Sequence, residues 1–159
     1  MLRRIGIGLV AVVAALVVVS LGARRCDGPL GPIPGGALRS GEQAAVPGDW
    51  SFASELREIE LQLESPPRSR IVWPLVHAGE LYIPCGFLAV PGLKQWPYQL
   101  EADDRVVVRV QGKRYAGRLA RVRDPELYAA LGRAGAEKYG FGSGEPDPAG
   151  TWYFRFRGR

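Results

Sequence analysis

Residues 106–122, VVVRVQGKRYAGRLARV, contain two runs of strand-forming residues separated by Gln111 and Gly112. The second run, residues 113–122, alternates two sets of side chains, as expected for a strand with one buried face. A two-residue turn that ends in glycine between two such runs predicts an antiparallel hairpin. We take this hairpin as the centre of the fold and extend the interpretation to both sides of it.

Upstream segments have the same character. Residues 56–63, LREIELQL, alternate polar and apolar side chains and predict a half-buried strand. Residues 70–76, RIVWPLV, predict a second strand, in which Pro74 indicates an edge or a bulge. Residues 77–80 are typical of a turn and lead into a strand at residues 81–83, so these segments predict another hairpin.

Downstream of residue 83 the sequence predicts little regular structure until the central hairpin, apart from a helical turn at residues 98–101. Asp124 followed by Pro125 is typical of a helix start, and Gly140 of a helix end. Residues 152–157 alternate two sets of side chains, with Trp152, Phe154 and Phe156 on one face and Tyr153, Arg155 and Arg157 on the other, and predict a last strand. About six short strands with one late helix predict a mainly β, α+β domain: a small antiparallel barrel.

The N-terminal part has a different composition. Residues 5–23, IGIGLVAVVAALVVVSLGA, are nineteen uncharged residues flanked by arginine pairs at residues 3–4 and 24–25. As a helix of about 28 Å, this segment matches the hydrocarbon core of a bilayer. We therefore predict a single-pass inner or plasma membrane protein whose domain is periplasmic or otherwise extracytoplasmic. The alternative is a cleaved secretory signal, with small residues at 20–22 near a cleavage site.

Composition divides the chain into three parts. Residues 1–25 are the predicted anchor, residues 26–48 a linker, and residues 49–159 a globular domain that contains all fifteen aromatic residues. Residues 28–48 include six glycines and four prolines, so we expect no packed element there. The linker is interpreted as a spacer, or alternatively as a docking motif for a partner in GPLGPIPGG, residues 28–36.

Charge and cysteine content exclude several functions. The net charge is +5, but four of the 21 basic residues flank the apolar segment, and beyond Asp27 the counts are 17 basic and 15 acidic. This distribution favours a bilayer and gives no support to nucleic-acid binding. Cys26 and Cys85 are predicted to be independent thiols, and neither lies in a metal-ligand pattern. His77 is the only histidine, so we name no catalytic residue and no metal ligand.

Two phrases, SRIVWPLVHAGELYIPCG at residues 69–86 and KQWPYQLEADDRVVVRVQGKRYAGRLARVRDPEL at residues 94–127, resemble the split β-barrel flavin-binding superfamily. That group includes pyridoxamine phosphate oxidase-like proteins and deazaflavin-dependent nitroreductases. The resemblance covers roughly residues 57–139. It implies a split barrel, a homodimer, and FMN or a deazaflavin as the cofactor class.

The resemblance also implies a set of ligand-binding residues. Arginine and lysine at the matching positions would face phosphate, a serine would add a hydroxyl donor, two aromatic residues would border a ring, and a glutamine stands where relatives have asparagine. These residues are Arg68, Ser69, Arg70, Lys94, Trp96, Tyr98 and Gln99. The alternative is purely structural: arginines at a strand end, a surface lysine and a core tryptophan. The Gly-Arg/Lys-Ser-Gly phrase of deazaflavin-binding relatives is replaced here by residues 65–70, SPPRSR.

Two functions follow as hypotheses. The first is a membrane-tethered barrel that serves as a non-catalytic ligand-binding or assembly module, which the replaced phosphate phrase favours. The alternative is a flavin- or deazaflavin-dependent oxidoreductase, similar to nitroreductases or quinone reductases, in which the cofactor carries the reaction and the protein orients it.

Overall fold

The computed structural model describes residues 2–90, 92, 94–140 and 145–159, with side chains from residue 12 onward. The described part contains three helices, a short 3₁₀ turn at Ser51–Ala53 and eight strands. The helices are α1 (Leu2–Ala23), α2 (Trp96–Gln99) and α3 (Pro125–Tyr139). The strands are β1 (Glu42–Gln43), β2 (Ile59–Glu64), β3 (Pro67–Val72), β4 (Leu75–His77), β5 (Glu80–Cys85), β6 (Arg105–Val110), β7 (Lys113–Arg121) and β8 (Trp152–Gly158).

The strands form one sheet in the order β3-β2-β6-β7-β8-β5-β4, and every pair along this path is antiparallel. The short β1 pairs in parallel with the start of β7. The C-terminal strand β8 lies between β7 and β5 and joins two groups of strands that are otherwise separate in the sheet. The end strands β3 and β4 are connected in the chain by Trp73 and Pro74 alone. The two end strands of the sheet are therefore neighbours in the sequence.

The predicted central hairpin is β6–β7, with Val110 opposite Lys113. Gln111 and Gly112 both have positive φ, 49° and 77°, which matches the mirror-image turn that suits the twist of a hairpin. The β4–β5 hairpin uses the same device at Ala78 and Gly79, with φ of 50° and 75°. Glycine at the second turn position adopts this backbone conformation without a steric cost.

The helix predicted after Asp124 is α3. The Asp124 side chain accepts a hydrogen bond from the backbone N–H of Leu127 at 2.7 Å, and Pro125 occupies the first turn. The helix ends at Gly140, which has a left-handed φ of 72°. Leu131 is fully buried in a cluster with Leu75 of β4, so α3 covers this end of the sheet. A larger core on the inner face of the sheet combines side chains of β2, β5, β6, β7 and β8.

Two details of the strand prediction differ from the structure. The single strand expected at residues 70–76 is two strands, because Pro74 lacks a backbone N–H and the chain leaves one end of the sheet for the other at that point. The eight observed strands exceed the six expected because that segment supplies two strands, β3 and β4, and because β1 lies in the segment expected to be a linker. The helical turn expected at residues 98–101 is α2, two residues earlier.

The glycine- and proline-rich segment is ordered against the barrel, contrary to expectation. We call residues 24–41 the strap. Its Leu38 is 3% exposed, and its Gly35 pairs with Ser69 of β3 by two backbone hydrogen bonds of 2.9 and 3.2 Å. The glycines and prolines exclude regular secondary structure from this segment, and contacts with strands of the barrel order it instead. Such contacts cannot be read from composition. The division of the chain near residues 25 and 48 remains a prediction.

Helix α1 precedes the strap. Among the described residues, no helix combines the length and hydropathy needed to cross a bilayer. For residues 5–11, which are part of the predicted anchor, the structure does not describe the side chains. The membrane anchor and its topology therefore stay predictions. Cys26 and Cys85 are both free thiols.

Candidate functional site

A cleft of about 1070 Å³ opens where the two ends of the sheet meet. Its walls come from the strap, β3, the end of β5, the segment around α2, and one face of α3. The cleft is therefore a product of the topology: the end strands β3 and β4 do not pair with each other in the described structure, and α3 packs on β4 beside the gap. Five of the seven predicted ligand-binding residues line it: Arg68, Arg70, Lys94, Trp96 and Gln99.

Strand alternation sorts the residues of β3. Arg68 and Arg70 stand opposite Leu63 and Leu61 of β2, both of which belong to the inner core, so the two arginines share the inner face. Ser69 stands opposite Gln62 and lies on the outer face, under the strap. The structure thus brings the two arginines to the cleft and separates Ser69 from them.

Arg70 is held in apolar surroundings. Its Nε is buried and has no hydrogen-bond partner among the described residues, and its guanidinium lies 5.5 Å from the ring centroid of Trp96. Burial, together with the charge of Arg68 and against the opposing effect of Cys85, lowers the pKa of Arg70 to about 10. A cation in this position is destabilised unless an anion joins it, because burial disfavours the charged form.

Arg68 is in a similar situation. Its Nη1 is buried without a partner in the described part of the chain. Burial lowers the pKa of Arg68, and the positive charge of Arg24 in the strap lowers it further. The two guanidinium groups therefore present unpaired N–H donors on the same face of β3. This arrangement suits a planar or tetrahedral anion with several acceptor oxygens.

We call the end of the cleft that contains Arg68, Arg70 and Lys94 the cationic end. Cys85, at the end of β5, also belongs to it. Burial raises the pKa of its thiol to about 11, although the charges of Lys94 and Arg70 act in the opposite direction. The thiol therefore stays protonated at neutral pH and has little nucleophilic character. We therefore interpret Cys85 as an inert, buried thiol.

Tyr98 does not line the cleft with the others. It follows Trp96 on α2 but is 46% exposed and packs edge-to-face on Trp152, with ring centroids 5.0 Å apart. Trp96 is 4% exposed and also packs on Phe154 of the core at 5.5 Å. Trp96 therefore has both proposed roles, as a core residue and as a wall of the cleft.

The opposite end of the cleft was missed by sequence reasoning. It is lined by tyrosines of α3 and β8 and by Trp73, which stacks on Tyr139 with centroids 5.6 Å apart. The Tyr128 hydroxyl donates to the Thr151 carbonyl at 2.7 Å, and Tyr139 donates to the Pro74 carbonyl at 2.6 Å. Burial raises the pKa of both phenols to about 12, so they act as neutral donors.

The sequence of α3 contains a pattern that could have predicted the tyrosine-lined end of the cleft. Five residues spaced at i, i+4, i+7, i+8 and i+11 lie on one helix face and line the cleft: Tyr128, Gly132, Gly135, Ala136 and Tyr139. Small residues between two tyrosines leave room for a ligand beside the helix. This face is adjacent to the one that buries Leu131.

Comparison with known proteins supports the fold alone. No family model matches the chain, and no curated protein matches it. A conserved hypothetical protein of Mycobacterium tuberculosis is similar in structure, with a TM-score of 0.52 and 18% identity over 68% of this chain and 76% of that one. A FAD-binding protein of Mesorhizobium loti (TM-score 0.43, 16% identity, 67% and 83% covered) and an F420 reductase (0.45, 14%, 72% and 96%) are more distant.

The chain has a split β-barrel fold. The eight-strand sheet, its two ends joined through Trp73 and Pro74, and the single late helix agree with the fold class expected from the sequence. At sequence identities this low, the structural similarity does not assign a ligand or a reaction to this chain.

Proposed function

We propose that the cleft binds a planar, phosphate-bearing ligand of the flavin or deazaflavin class. The observation that carries this proposal is a pair of buried donors, Arg68 Nη1 and Arg70 Nε, that have no hydrogen-bond partner among the described residues and lie in a cleft of about 1070 Å³. Leaving a buried charged donor unpaired costs on the order of 1–3 kcal/mol or more. A phosphate group would remove that cost by accepting hydrogen bonds from both arginines, and Lys94 at the same end would add charge.

The remaining residues suit the ring of such a ligand. Trp96 offers an aromatic wall beside Arg70, and Gln99 offers an amide at the rim. Ligand cavities are commonly about 300–1,000 Å³, so this cleft has room for a nucleotide-sized ligand and part of a second molecule. The tyrosine-lined end, where Tyr128 and Tyr139 are held in place by their hydrogen bonds to backbone carbonyls, would then accommodate that second molecule.

The activity that we infer from this arrangement is that of a flavin- or deazaflavin-dependent oxidoreductase. A bound flavin supplies hydride and electron transfer, and the chain supplies binding, orientation and exclusion of water. The acceptor would be a small hydrophobic molecule such as a quinone, since apolar and aromatic side chains line much of the cleft.

A second candidate is a non-catalytic ligand-binding or assembly module. It is favoured by residues 65–70, SPPRSR, which stand in place of the glycine-containing phosphate phrase of deazaflavin-binding relatives. In either role we propose a homodimer and a bilayer anchor at residues 5–23.

The test uses the full chain in detergent, because α1 exposes apolar side chains such as Leu16 and Val18. FMN and a deazaflavin are added, and bound chromophore is measured after desalting. We expect stoichiometric uptake by the wild type, loss of uptake in Arg68→Ala, Arg70→Ala and Lys94→Ala, and no change in Arg118→Ala, whose side chain is exposed and pairs with Asp104. Reduction and reoxidation of the bound chromophore with a quinone then distinguish the enzyme from the non-catalytic module. A folded protein that takes up neither cofactor would refute the cofactor proposal.

A further inference from the structure

We propose that the strap is part of the ligand site: it forms one wall of the cleft and brings Arg24 to the cationic end as a further ligand-binding residue. The ligand class that this predicts carries at least two negative charges at one end, as a phosphate monoester or a diphosphate does. The inference rests on the proposed function and deepens it, because it assigns a role to a segment outside the barrel.

The strap follows the outer side of β2 and β3. Gly35 exchanges two backbone hydrogen bonds with Ser69, and the N–H of Leu38 donates to Gln62 Oε1 at 2.6 Å. Leu38 itself is 3% exposed. The strap thereby acts as an additional short strand at the exposed edge of β3, which carries the two arginines of the cleft on its other face.

A charged cluster fixes the strap at a second place. Arg109 of β6 binds Glu60 through its Nε and Nη2, and its Nη1 lies 3.1 Å from Asp27 Oδ1 and 2.8 Å from Ser40 Oγ. Asp27 also accepts the backbone N–H of Arg39 at 2.6 Å. Burial acts to raise the pKa of Asp27, but the hydrogen bonds from Ser40 and Arg39 and the charge of Arg109 outweigh it, so the pKa falls to about 2.

The strap also packs against itself. A Cβ at Gly35 would overlap the backbone of Gly28, and a Cβ at Gly36 would overlap the carbonyl oxygens of Arg24 and Cys26. The chain therefore folds back closely on the end of α1 and is held at both ends of the loop. This close approach fixes the position of the Arg24 backbone relative to β3.

One side of this loop faces the ligand. Gly31, Pro32 and Pro34 line the cleft. The Arg24 backbone packs against Gly36, next to the Gly35 that pairs with Ser69, so Arg24 lies close to this part of β3. In agreement with this placement, the charge of Arg24 lowers the pKa of Arg68. Arg24 thus adds to a group of positive charges at this end formed by Arg68, Arg70 and Lys94. Of the carboxylates that line the cleft, Glu58 lies near Tyr139 and Asp147 near Tyr128, at the tyrosine-lined end. A single negative charge would leave this group largely uncompensated, which is why we infer a dianionic ligand group.

The experiment compares two neighbouring arginines in the full chain in detergent. Arg24→Ala removes the charge near Arg68, and Arg25→Ala makes the same change one residue along. Affinities are measured for FMN, for riboflavin, which has the same ring without phosphate, and for inorganic phosphate. We expect Arg24→Ala to lower the affinity for FMN and for phosphate by about tenfold, and the affinity for riboflavin by less than about twofold. We expect Arg25→Ala to change all three affinities by less than about twofold, because the electrostatic effect depends on distance and charge.

The outcomes separate this inference from the function that it rests on. Wild-type protein that binds phosphate but not FMN would refute the flavin assignment, and the Arg24 comparison would still test the strap with phosphate. FMN binding that is equal in Arg24→Ala and wild type would refute the strap inference and leave the flavin proposal intact. A wild-type protein that binds neither FMN nor phosphate would refute both the flavin proposal and the strap inference.

A second measurement tests the wall itself. Asp27→Ala removes the acceptor that fixes the strap, and Asp49→Ala makes the same change outside it. We expect faster hydrogen exchange at the Leu38 amide and faster FMN dissociation, each by about tenfold or more, in Asp27→Ala alone, because a charged hydrogen bond at a partly exposed site is lost. Faster exchange at Leu38 with unchanged FMN dissociation would show that the strap does not close the site.

Discussion

Replacing Arg70 with methionine is expected to stabilise the protein while abolishing anion binding. Methionine has a similar length and is flexible enough to fill the same space beside Trp96. The change removes a positive charge whose Nε is buried without a partner in the described structure. A residue retained at a cost in stability is what a ligand-binding role predicts, so the two effects should appear together in one variant.

The magnitude follows from the pKa of Arg70, which falls from its ordinary 12.5 to about 10. Each pKa unit corresponds to about 1.4 kcal/mol, so the charged form costs at most about 3 kcal/mol in the folded state. Solvent screening and the lost cation–π contact with Trp96, together about 1–2 kcal/mol, reduce this. We expect Arg70→Met to raise the free energy of unfolding by about 1–2 kcal/mol.

The pH dependence has a definite sign. The folded pKa lies below the unfolded pKa of a cation, so the penalty is complete at pH values below about 10 and declines as the pH rises from there towards 12.5. At pH 7 the wild type therefore carries the whole penalty. The difference in stability between Arg70→Met and wild type should be constant between pH 6 and about 9.

Urea unfolding at pH 7, followed by tryptophan fluorescence, gives this difference directly. Arg118→Met is the matched control: its side chain is 54% exposed and pairs with Asp104 at the surface, so we expect a change within about 0.5 kcal/mol. The same samples are titrated with FMN. Arg70→Met that is less stable than wild type, with an unchanged fold, would refute the reasoning, because it would mean that the protein already satisfies Arg70 without a ligand.

Three further predictions concern the fold and the thiol. Gly117→Ala should destabilise the protein by about 2 kcal/mol or more in urea unfolding, because its Cβ would overlap the backbone of β8, whereas Gly48→Ala, where the space is open, should be near neutral. Asp124→Ala should cost about 1 kcal/mol through the lost cap of Leu127, and an equal stability would contradict the capping role. Cys85 should react with iodoacetamide tenfold faster per unit of pH up to about pH 10, since its pKa is about 11; a rate that levels off near pH 8 would contradict this.

Local signals were sufficient for much of the fold. The β6–β7 turn, the cap of α3 and the final strand were predicted because each is decided by residues a few positions apart. The strap was not, because what orders it lies far away in the sequence: Asp27 contacts Arg109, and Gly35 contacts Ser69. Glycine and proline content describes the absence of regular elements and says nothing about such contacts.

The site was predictable to a similar extent. Arg68 and Arg70 were found through a resemblance, and simple alternation along a strand would have set Ser69 apart from them. The tyrosine-lined end depends on which face of α3 meets the cleft, and that depends on how the helix packs across β4. The binding roles assigned to these residues stay predictions until a ligand is measured.

Strand β8 gives the molecule a natural point of division. Because it lies between β7 and β5, a chain that ended before residue 152 would keep two separate sets of paired strands, each with an open edge shaped for the same missing segment. A peptide of residues 152–158 supplied separately would complete both edges at once. We therefore expect fragment complementation, in which the longer piece is the acceptor and the seven-residue strand is the donor that restores the sheet.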